Sequence, residues 1–365
     1  MNQTAIATVT LDHVRNNIRQ LRAMIPGKKI LAMVKSNAYG HGLVPIAQTL
    51  SDVDALGVAT IGEALQLRVA GITQKIVVMR GFITQEELHL FLRDPGLVAC
   101  IHDHQQLALL KQSVFSEKDV LTIWLKIDTG MHRLGFDYHQ FSDVYSTLMQ
   151  LPVIKKPFVV CSHLADADNM DAVFTEQQIH CFEKITKTIQ TEKSILNSAG
   201  ILAYPEAAFD WIRPGLMMYG ISPFATNDPR NSLMKDFRPA MTLSSKLIAI
   251  KDVKKGEKIG YSCTFVAPSD MTIGIVGMGY GDSYPRQAKN GTPVLIRDQR
   301  CPIVGRVSMD MITVDISHVK NAAVDDTVIL WGEQLLVSEI AENVNTVSHE
   351  LLCHLTGRVL SVIVP

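Results

Sequence analysis

The 365-residue sequence predicts an α/β protein, with an N-terminal (β/α)8 TIM-like barrel followed by a C-terminal all-β domain. Two observations carry this prediction. Up to about residue 230, short β-rich runs alternate with helical patterns in about eight βα units, the number that such a barrel requires. Beyond that point, strand-like runs follow one another across Gly, Pro, Asp and Asn turns. We therefore expect a barrel over residues 1–230 and a β-strand domain over residues 231–365.

Eight segments are candidate barrel strands because each is a short run rich in apolar and β-branched residues. They are KILAMVK, DALGVAT, KIVVM, LVACI, LTIWLKID, FVVCSHL, SILNS and FDWIRPG. The intervening segments IGEALQLRVAG and QQIHCFEKITKTI have apolar residues at three- and four-residue spacing, as amphipathic helices do. SILNS is weak by itself, and the regular alternation supports its assignment.

The pattern changes at ISPFATNDPRNSLMKDFRPA, which is rich in Pro, Asn and Asp and reads as a linker. The strand-like runs after it are MTLSSKLIAIKDV, GEKIGYS, MTIGIVGMGYGD, TPVLIRDQRCPIVGRVSMDMITVDIS and DTVILWG. No convincing long helical pattern precedes LVSEIAENV. The composition of this half therefore favours an all-β domain.

The composition excludes several classes of protein. Hydrophobic residues make up 47% and charged residues 19% of the chain, and the net charge is −1, so no global charge points to nucleic acid or a membrane surface. No run of about 18 apolar residues is present, and the N-terminus lacks a signal-peptide pattern. The six cysteines form no CxxC pair and are expected to be reduced. We expect a soluble cytoplasmic protein.

Lys35 is the last residue of the first candidate strand, KILAMVK. Catalytic residues of (β/α)8 barrels cluster at the carboxyl ends of the strands. Apolar neighbours lower the pKa of a lysine and suit it to form a Schiff base with an aldehyde. A strand-end lysine that extends into solvent is the alternative interpretation.

The loops after the seventh and eighth candidate strands read NSAGI and RPGLM. In barrels of this type these two loops often bind phosphate through backbone N–H groups, and Ser198 adds a hydroxyl. Ordinary strand-to-helix turns are the alternative for each loop. A reactive lysine beside a phosphate site suggests pyridoxal 5′-phosphate as the cofactor, with no metal.

The sequence resembles the alanine racemases, barrel-type pyridoxal-phosphate enzymes with two domains. The resemblance spans both domains and rests on eight ordered motifs: AMVKSNAYGHG, LKIDTGMHRLG, CSHLADAD, LNSAG, IRPGLMMYG, IGYSCTF, GYGDSYPR and PIVGRVSMDM. It implies interconversion of L-alanine and D-alanine, and D-alanine for peptidoglycan as the biological product. Biosynthetic and catabolic roles both remain open.

The resemblance implies a role for each residue that matches a family motif. Lys35 would hold the cofactor and act as one of two acid–base groups at the α-carbon of the substrate. The residues implied to bind the cofactor phosphate are Tyr39, Ser198, Gly215 and Leu216. His163 would lie against the pyridine ring and Arg213 would face its nitrogen.

Racemisation needs a proton-transfer group on each face of the α-carbon. The resemblance implies that the second is Tyr261, contributed by the β domain of a partner subunit, so a homodimer with shared sites is expected. It further implies that Arg133 and the backbone of Met309 bind the substrate. The residues matching the family's entrance are Asp168, Tyr280, Arg286 and Arg306.

Two points in the comparison with the family stay open. The lysine matching Lys126 is carbamylated in many members, and an ion pair with Asp128 is the alternative. Some members carry a tyrosine where this chain has Gly357, so its strictness for alanine over serine is not determined.

Three other kinds of protein share part of this pattern. Ornithine and diaminopimelate decarboxylases share the barrel and the lysine, but VSMDM and GYS fit the racemases better. The single-barrel pyridoxal-phosphate-binding protein has no β domain. A metal-dependent hydrolase, suggested by His163 and Asp168, lacks a second histidine cluster.

Overall fold

Residues 29–212 form a closed barrel of parallel strands. The computed structural model describes residues 4–171 and 173–365, beginning with strand β1 (Ile6–Thr10) and helix α1 (Leu11–Met24). The barrel strands are β2 (Lys29–Met33), β3 (Ala55–Val58), β4 (Ile76–Val78), β5 (Leu97–Ile101), β6 (Thr122–Asp128), β8 (Val159–Cys161), β9 (Lys193–Ser194) and β10 (Trp211–Ile212), with β7 (Phe136–Asp137) beside the end of β6. Their order is β5-β4-β3-β2-β10-β9-β8-β6, and pairing of β5 with β6 closes the ring. Each predicted segment overlaps one of these eight strands, so the predicted barrel is confirmed.

Helical segments connect the strands on the outside. They are α2 (Lys35–Tyr39), α3 (Leu43–Thr49), α4 (Ile61–Val69), α5 (Gln85–Arg93), α6 (His104–Gln112), α7 (Phe141–Gln150), α8 (Val173–Thr186) and α9 (Ser198–Ala203). Capping boxes begin α4 at Thr60 and α6 at Asp103, which satisfies backbone N–H groups that a helix start leaves free. Within the described ranges, no helix has both the length and the apolar character needed to cross a membrane.

The C-terminal domain is mostly β, as predicted. Its strands are β11 (Met241–Val253), β12 (Lys258–Ile259), β13 (Phe265–Val266), β14 (Met271–Val276), β15 (Pro293–Ile296), β16 (Gln299–Pro302), β17 (Ile312–Asp315), β18 (Thr327–Trp331) and β19 (Leu360–Val364). Two short helices, α10 (Val337–Asn343) and α11 (Ser348–Cys353), lie between β18 and β19. Strand β11 is the centre of this domain, because it pairs with β1, β14 and β18.

The N-terminal strand departs from the expectation that residues 1–230 form the barrel. Strand β1 lies in the C-terminal sheet, antiparallel to β11 and parallel to β19. Its alternating burial pattern is typical of a strand with one covered face. Such a pattern predicts a strand but contains no information about which sheet receives it. From β1 in the sheet of the β domain, the chain therefore enters the barrel through α1.

The predicted linker is a packed segment. Phe224, Met234 and Phe237 are buried, and residues Pro229–Met234 form a 3-10 helix. Asn17 of α1 donates its amide to the carbonyl oxygen of Arg238 at 2.8 Å and accepts from its backbone N–H at 2.8 Å. This segment therefore joins the two domains through specific contacts.

Candidate active site

A cavity of about 520 Å³ opens at the carboxyl ends of the barrel strands. This is the end of a (β/α)8 barrel where ligands bind, and the volume is in the range of small-molecule sites. Ten of the residues predicted from the sequence line the cavity: Lys35, Tyr39, Lys126, Arg133, His163, Asp168, Ser198, Arg213, Gly215 and Leu216. The fold thus brings residues from distant parts of the chain into one wall.

Lys35 follows the end of β2 and lines this cavity. Burial lowers the pKa of its ammonium group, and the positive charges of Arg133 and Lys126 lower the pKa further. Glu63 and Cys353 act in the opposite direction. A lysine with a lowered pKa is a better nucleophile near neutral pH, as a covalent anchor must be.

The segment after Lys35, helix α2, turns in the left-handed sense. Ser36, Asn37, Ala38 and Tyr39 have φ angles of 54°, 54°, 53° and 53°. An L-residue in this conformation costs roughly 1–2 kcal/mol, and such strain concentrates at functional sites. The turn brings Tyr39 into the same cavity as Lys35. No sequence signal predicted it, because none of these residues is a glycine.

His41 stabilises this turn from inside the protein. Its Nδ1–H donates to the carbonyl oxygens of Tyr39 at 2.9 Å and Ala38 at 3.1 Å, and its ring stacks on Tyr219 at 4.4 Å. Burial lowers the pKa of the His41 imidazole from 6.5 to about 4. The ring is therefore neutral at physiological pH.

This lowered pKa predicts a pH dependence of stability. The unfolded chain takes up a proton on His41 below about pH 6.5, whereas the folded protein does so only near pH 4. The contribution of His41 is therefore complete above pH 6.5 and is lost as the pH falls toward 4, at up to about 1.4 kcal/mol per pH unit. Urea unfolding midpoints from pH 4.5 to 7.5 measure it, and in His41→Phe the slope should be smaller than in the wild type. Parallel curves would contradict this assignment.

Hydroxyl and backbone groups form a cradle at one end of the cavity. Ser198 Oγ accepts the backbone N–H of Gly215 at 2.9 Å and of Met217 at 3.4 Å. A Cβ on Gly215 would lie 2.6 Å from Tyr39 Oη, so a side chain at this position would displace the Tyr39 hydroxyl. Burial raises the pKa of Tyr39, which keeps its hydroxyl a donor. Such groups together suit the oxygens of a phosphate.

Arg213 is held rigidly in the floor of the cavity. Its guanidinium donates to Ser194 Oγ at 2.6 Å, to the carbonyl oxygens of Ile195 at 3.1 Å and Ser162, and to His163 Nδ1 at 3.2 Å. Burial lowers the pKa of His163 far below its ordinary value, and the charge of Arg213 adds to this effect. The neutral imidazole can therefore accept at Nδ1 from the guanidinium.

Lys126 lies in the same wall as Arg133 and is buried. Asp128, the alternative partner expected from the sequence, accepts instead from the backbone N–H groups of Gly130 at 2.9 Å and His132 at 3.1 Å, and it pairs with the His132 ring at 3.2 Å. The Lys126–Asp128 ion pair considered above is therefore not formed.

His349 was not predicted from the sequence, yet it lines the cavity. It comes from α11 of the β domain, and its ring centroid lies 5.6 Å from that of Tyr39. Helix α11 can approach because Gly40 has no side chain, and a Cβ there would overlap the carbonyl group of Leu352. Burial lowers the pKa of His349, and the charge of Lys35 adds to this effect. Only the packing of the two domains brings His349 here, so the sequence carried no signal for it.

Gly357 lies outside the cavity lining. It is exposed, and a Cβ at this position would meet no atom within 4 Å. Within one chain, the C-terminal segment instead contributes His349 to the cavity lining, eight residues before Gly357.

The predicted residues of the β domain do not line this cavity. Tyr261 is 68%, Met309 52% and Tyr280 37% exposed. Arg286 and Arg306 line a separate concavity of about 470 Å³. The backbone N–H of Gly281 donates to the carbonyl oxygen of Met309 at 2.8 Å, which joins the loops of Tyr280 and Met309. Within one chain the predicted site residues thus form two separate groups.

Comparisons with known proteins cover both domains. Residues 9–223 match the family model of the alanine racemase N-terminal domain, and residues 240–363 match that of the C-terminal domain. An alanine racemase of Coxiella burnetii (strain CbuG_Q212) is 50% identical over 357 residues, 97% of each chain.

Solved structures agree in fold over the full length. The biosynthetic alanine racemase from Pseudomonas aeruginosa superposes with a TM-score of 0.94 at 36% identity, over 100% of both chains. An alanine racemase from Bartonella henselae, solved with covalently bound pyridoxal phosphate, has a TM-score of 0.85 at 25% identity, over 99% of both chains. Because family models match both domains and a full-length relative shares half of its residues, the chain belongs to the alanine racemase family of isomerases.

Proposed function

We propose that this protein interconverts L-alanine and D-alanine with pyridoxal 5′-phosphate held covalently at Lys35. One observation carries the proposal: a half-buried lysine with a lowered pKa shares a cavity of about 520 Å³ with a cradle of hydroxyl and backbone groups. The lysine can bind an aldehyde covalently, and the cradle can bind a phosphate. Pyridoxal phosphate contains both an aldehyde and a phosphate.

The residues of the cavity fit this cofactor. Tyr39 Oη and the Ser198 hydroxyl, with the backbone of Gly215 and Leu216, are the proposed phosphate ligands. When bound, the cofactor supplies an electron-withdrawing ring that eases removal of the α-proton of an attached amino acid. His163 is proposed to lie against that ring.

Arg213 is proposed to donate a hydrogen bond to the ring nitrogen. A guanidinium stays protonated in proteins, so it leaves that nitrogen without a proton. Four hydrogen-bond acceptors hold the Arg213 guanidinium in place. The N–H groups that these acceptors leave free therefore point in a fixed direction. We infer that Arg213 thereby limits how far charge spreads from the α-carbon, which favours reprotonation there.

Two proton-transfer groups are proposed, one for each face of the α-carbon. Lys35 acts on one face, and the hydroxyl of Tyr261 acts on the other. Arg133 and the backbone N–H of Met309 are proposed to bind the substrate carboxylate, which fixes the α-carbon between the two groups.

A homodimer with shared sites is proposed because one chain separates these groups. Lys35 lies in the barrel cavity, whereas Tyr261 is 68% exposed on the β domain and is not part of the cavity wall. A second copy that covers the exposed Tyr261, Tyr280 and Met309 would complete each site. Contact of these apolar surfaces would also remove them from water.

The proposed entrance is polar. It includes Asp168 and Tyr280, together with Arg286 and Arg306 from the charged concavity of the β domain. Cationic groups at the entrance attract the carboxylate of a small amino acid. Lys126 is proposed to carry a carbamate, because the added negative charge would hold Arg133 where two neighbouring cations otherwise repel.

D-alanine for peptidoglycan is the proposed product in the cell, and the cytoplasm is the proposed location. All six cysteines are free thiols in the structure, including the buried Cys100 and Cys161. Thiols persist in reducing compartments, which supports this location.

Incubation with L-alanine in deuterated water, followed by chiral separation, tests the proposed reaction. We expect D-alanine that carries deuterium at the α-carbon, because each inversion exchanges the α-proton. L-serine in a parallel incubation should react about 100-fold more slowly at most, since a small pocket rejects one added hydroxyl weakly. Absence of D-alanine despite a cofactor that borohydride fixes to the protein would contradict alanine as the substrate.

A further inference from the structure

Glu63 has two roles in the structure, and only one of them is needed to begin its helix. Its Oε2 accepts the backbone N–H of Ala59 at 2.8 Å and of Thr60 at 3.2 Å, and its own N–H donates to Thr60 Oγ1 at 3.3 Å. This capping box satisfies the start of α4. The remaining oxygen, Oε1, is left free by the cap.

That second oxygen reaches a different loop of the barrel. Glu63 Oε1 accepts the backbone N–H of Ser36 at 2.6 Å. Ser36 is the residue directly after Lys35 and the first of the left-handed turn, with φ of 54°. The two bridged loops both belong to the cavity wall, since Lys35 and Ala59 line it.

We propose that Glu63 is a positioning residue: its carboxylate ties the N–H of Ser36 to the loop after β3 and thereby sets the direction in which Lys35 enters the cavity. The inference rests on the proposed function, in which Lys35 is the cofactor anchor. A charged acceptor forms a stronger hydrogen bond than a neutral one. It therefore suits a turn that four L-residues make unfavourable.

The other side-chain contacts of the turn lie further along it, whereas the backbone bonds near Lys35 stay within the turn: Ala38 N–H donates to the carbonyl oxygen of Val34 at 2.8 Å and Gly40 N–H to that of Ser36 at 3.1 Å. Asn37 Oδ1 accepts from the N–H of Leu43 at 2.8 Å, and His41 binds the carbonyl groups of Ala38 and Tyr39. These bonds fix the end that carries Tyr39. Glu63 is the side chain that bonds the end next to Lys35.

The chain offers a matched control in Glu87. Glu87 has the same place in α5, where its N–H donates to Thr84 Oγ1 at 3.2 Å and its Oε2 accepts the N–H of Ile83 at 2.8 Å. The two residues that Glu87 contacts, Ile83 and Thr84, both lie in the loop directly before α5. Glu87→Gln therefore weakens a cap without disturbing the segment of Lys35.

The experiment compares Glu63→Gln with Glu87→Gln in the full-length protein. An amide has one acceptor oxygen, so the substituted side chain of Glu63→Gln can serve the cap or Ser36 but not both. Both variants should lower Tm by similar amounts, about 3 °C or less. Only Glu63→Gln should slow the capture of added pyridoxal phosphate by Lys35, which borohydride trapping and peptide mass measure. Only this variant should also lower kcat. We expect each effect to be about 10- to 100-fold, with KM for alanine little changed.

Two further variants separate positioning from simple structural damage. Ser36→Gly removes the steric penalty of positive φ, so in the Glu63→Gln background it should restore the capture rate to within about threefold of the wild type. Glu63→Asp keeps the negative charge of the cap but is one methylene short of Ser36, so it should also capture slowly. It replaces Glu63→Gln if that variant does not fold.

The outcomes are distinguishable. If the capture rate and kcat of Glu63→Gln lie within about twofold of those of Glu87→Gln, the inference is overturned and Glu63 is only a helix cap. The same conclusion follows if Ser36→Gly does not restore the capture rate, or if Glu63→Asp captures the cofactor at the wild-type rate. If the wild-type protein itself captured no pyridoxal phosphate at Lys35, the proposed function would be overturned and this inference with it.

Discussion

Lys35→Ala is expected to reduce kcat/KM for alanine racemisation by at least about 1,000-fold. The substitution removes both the proposed covalent anchor and one of the two proton-transfer groups, and a positioned acid–base group by itself contributes about 10²–10⁴-fold. The chiral assay in deuterated water measures the loss. Borohydride treatment should fix no cofactor to the variant, because the amine that would bind the aldehyde is gone.

Lys75→Ala is the control for this experiment. Lys75 is exposed and lies just before β4, at the amino end of the barrel, far from the mouth that contains Lys35. It should keep wild-type activity and the borohydride-fixed cofactor. Racemisation by Lys35→Ala at more than about a tenth of the wild-type rate would refute the assignment of Lys35.

A mixed dimer of Lys35→Ala and Tyr261→Phe subunits is expected to recover about half of wild-type activity. In a dimer with shared sites, one of the two sites would carry both substitutions, and the other would contain both wild-type residues. Each parent homodimer has two defective sites and should be about 100-fold or more below the wild type. Purification with a different affinity tag on each subunit isolates the mixed species.

Tyr138→Phe replaces Tyr261→Phe in the control mixture. Tyr138 is also an exposed tyrosine, at 38%, but it lies on the barrel between β7 and α7. Its homodimer should be fully active. A mixed dimer of Lys35→Ala and Tyr261→Phe no more active than its parents would exclude a site shared in this way, and full activity of the Tyr261→Phe homodimer would exclude Tyr261 as the second base.

Much of the fold could be read from local patterns. Short runs rich in apolar and β-branched residues marked the barrel strands, and three- and four-residue spacing marked helices such as α4 (Ile61–Val69). These patterns are reliable because each strand or helix must bury one face wherever it packs. The weak segment SILNS was assigned from the alternation, and β9 (Lys193–Ser194) overlaps its first residue. The place of Lys35 at the end of a strand followed from the same argument.

Part of the candidate site was also accessible from the sequence. Small residues in the loops after two strands indicated a phosphate cradle, and in the structure Ser198 accepts from the N–H of Gly215. The motif order added Tyr39, His163 and Arg213, which line the same cavity. Their roles in binding the cofactor remain predictions.

What the sequence determined by itself was therefore the set of strands and helices and the strand-end location of the key lysine. Only the tertiary structure decided that β1 joins the sheet of the β domain, that His349 reaches the barrel cavity, and that Glu63 bonds the N–H of Ser36. The physical reason is that periodicity records which face of a segment is buried, a local property. The partner that covers this face, and the strained turn that such packing supports, depend on contacts between residues far apart in the chain.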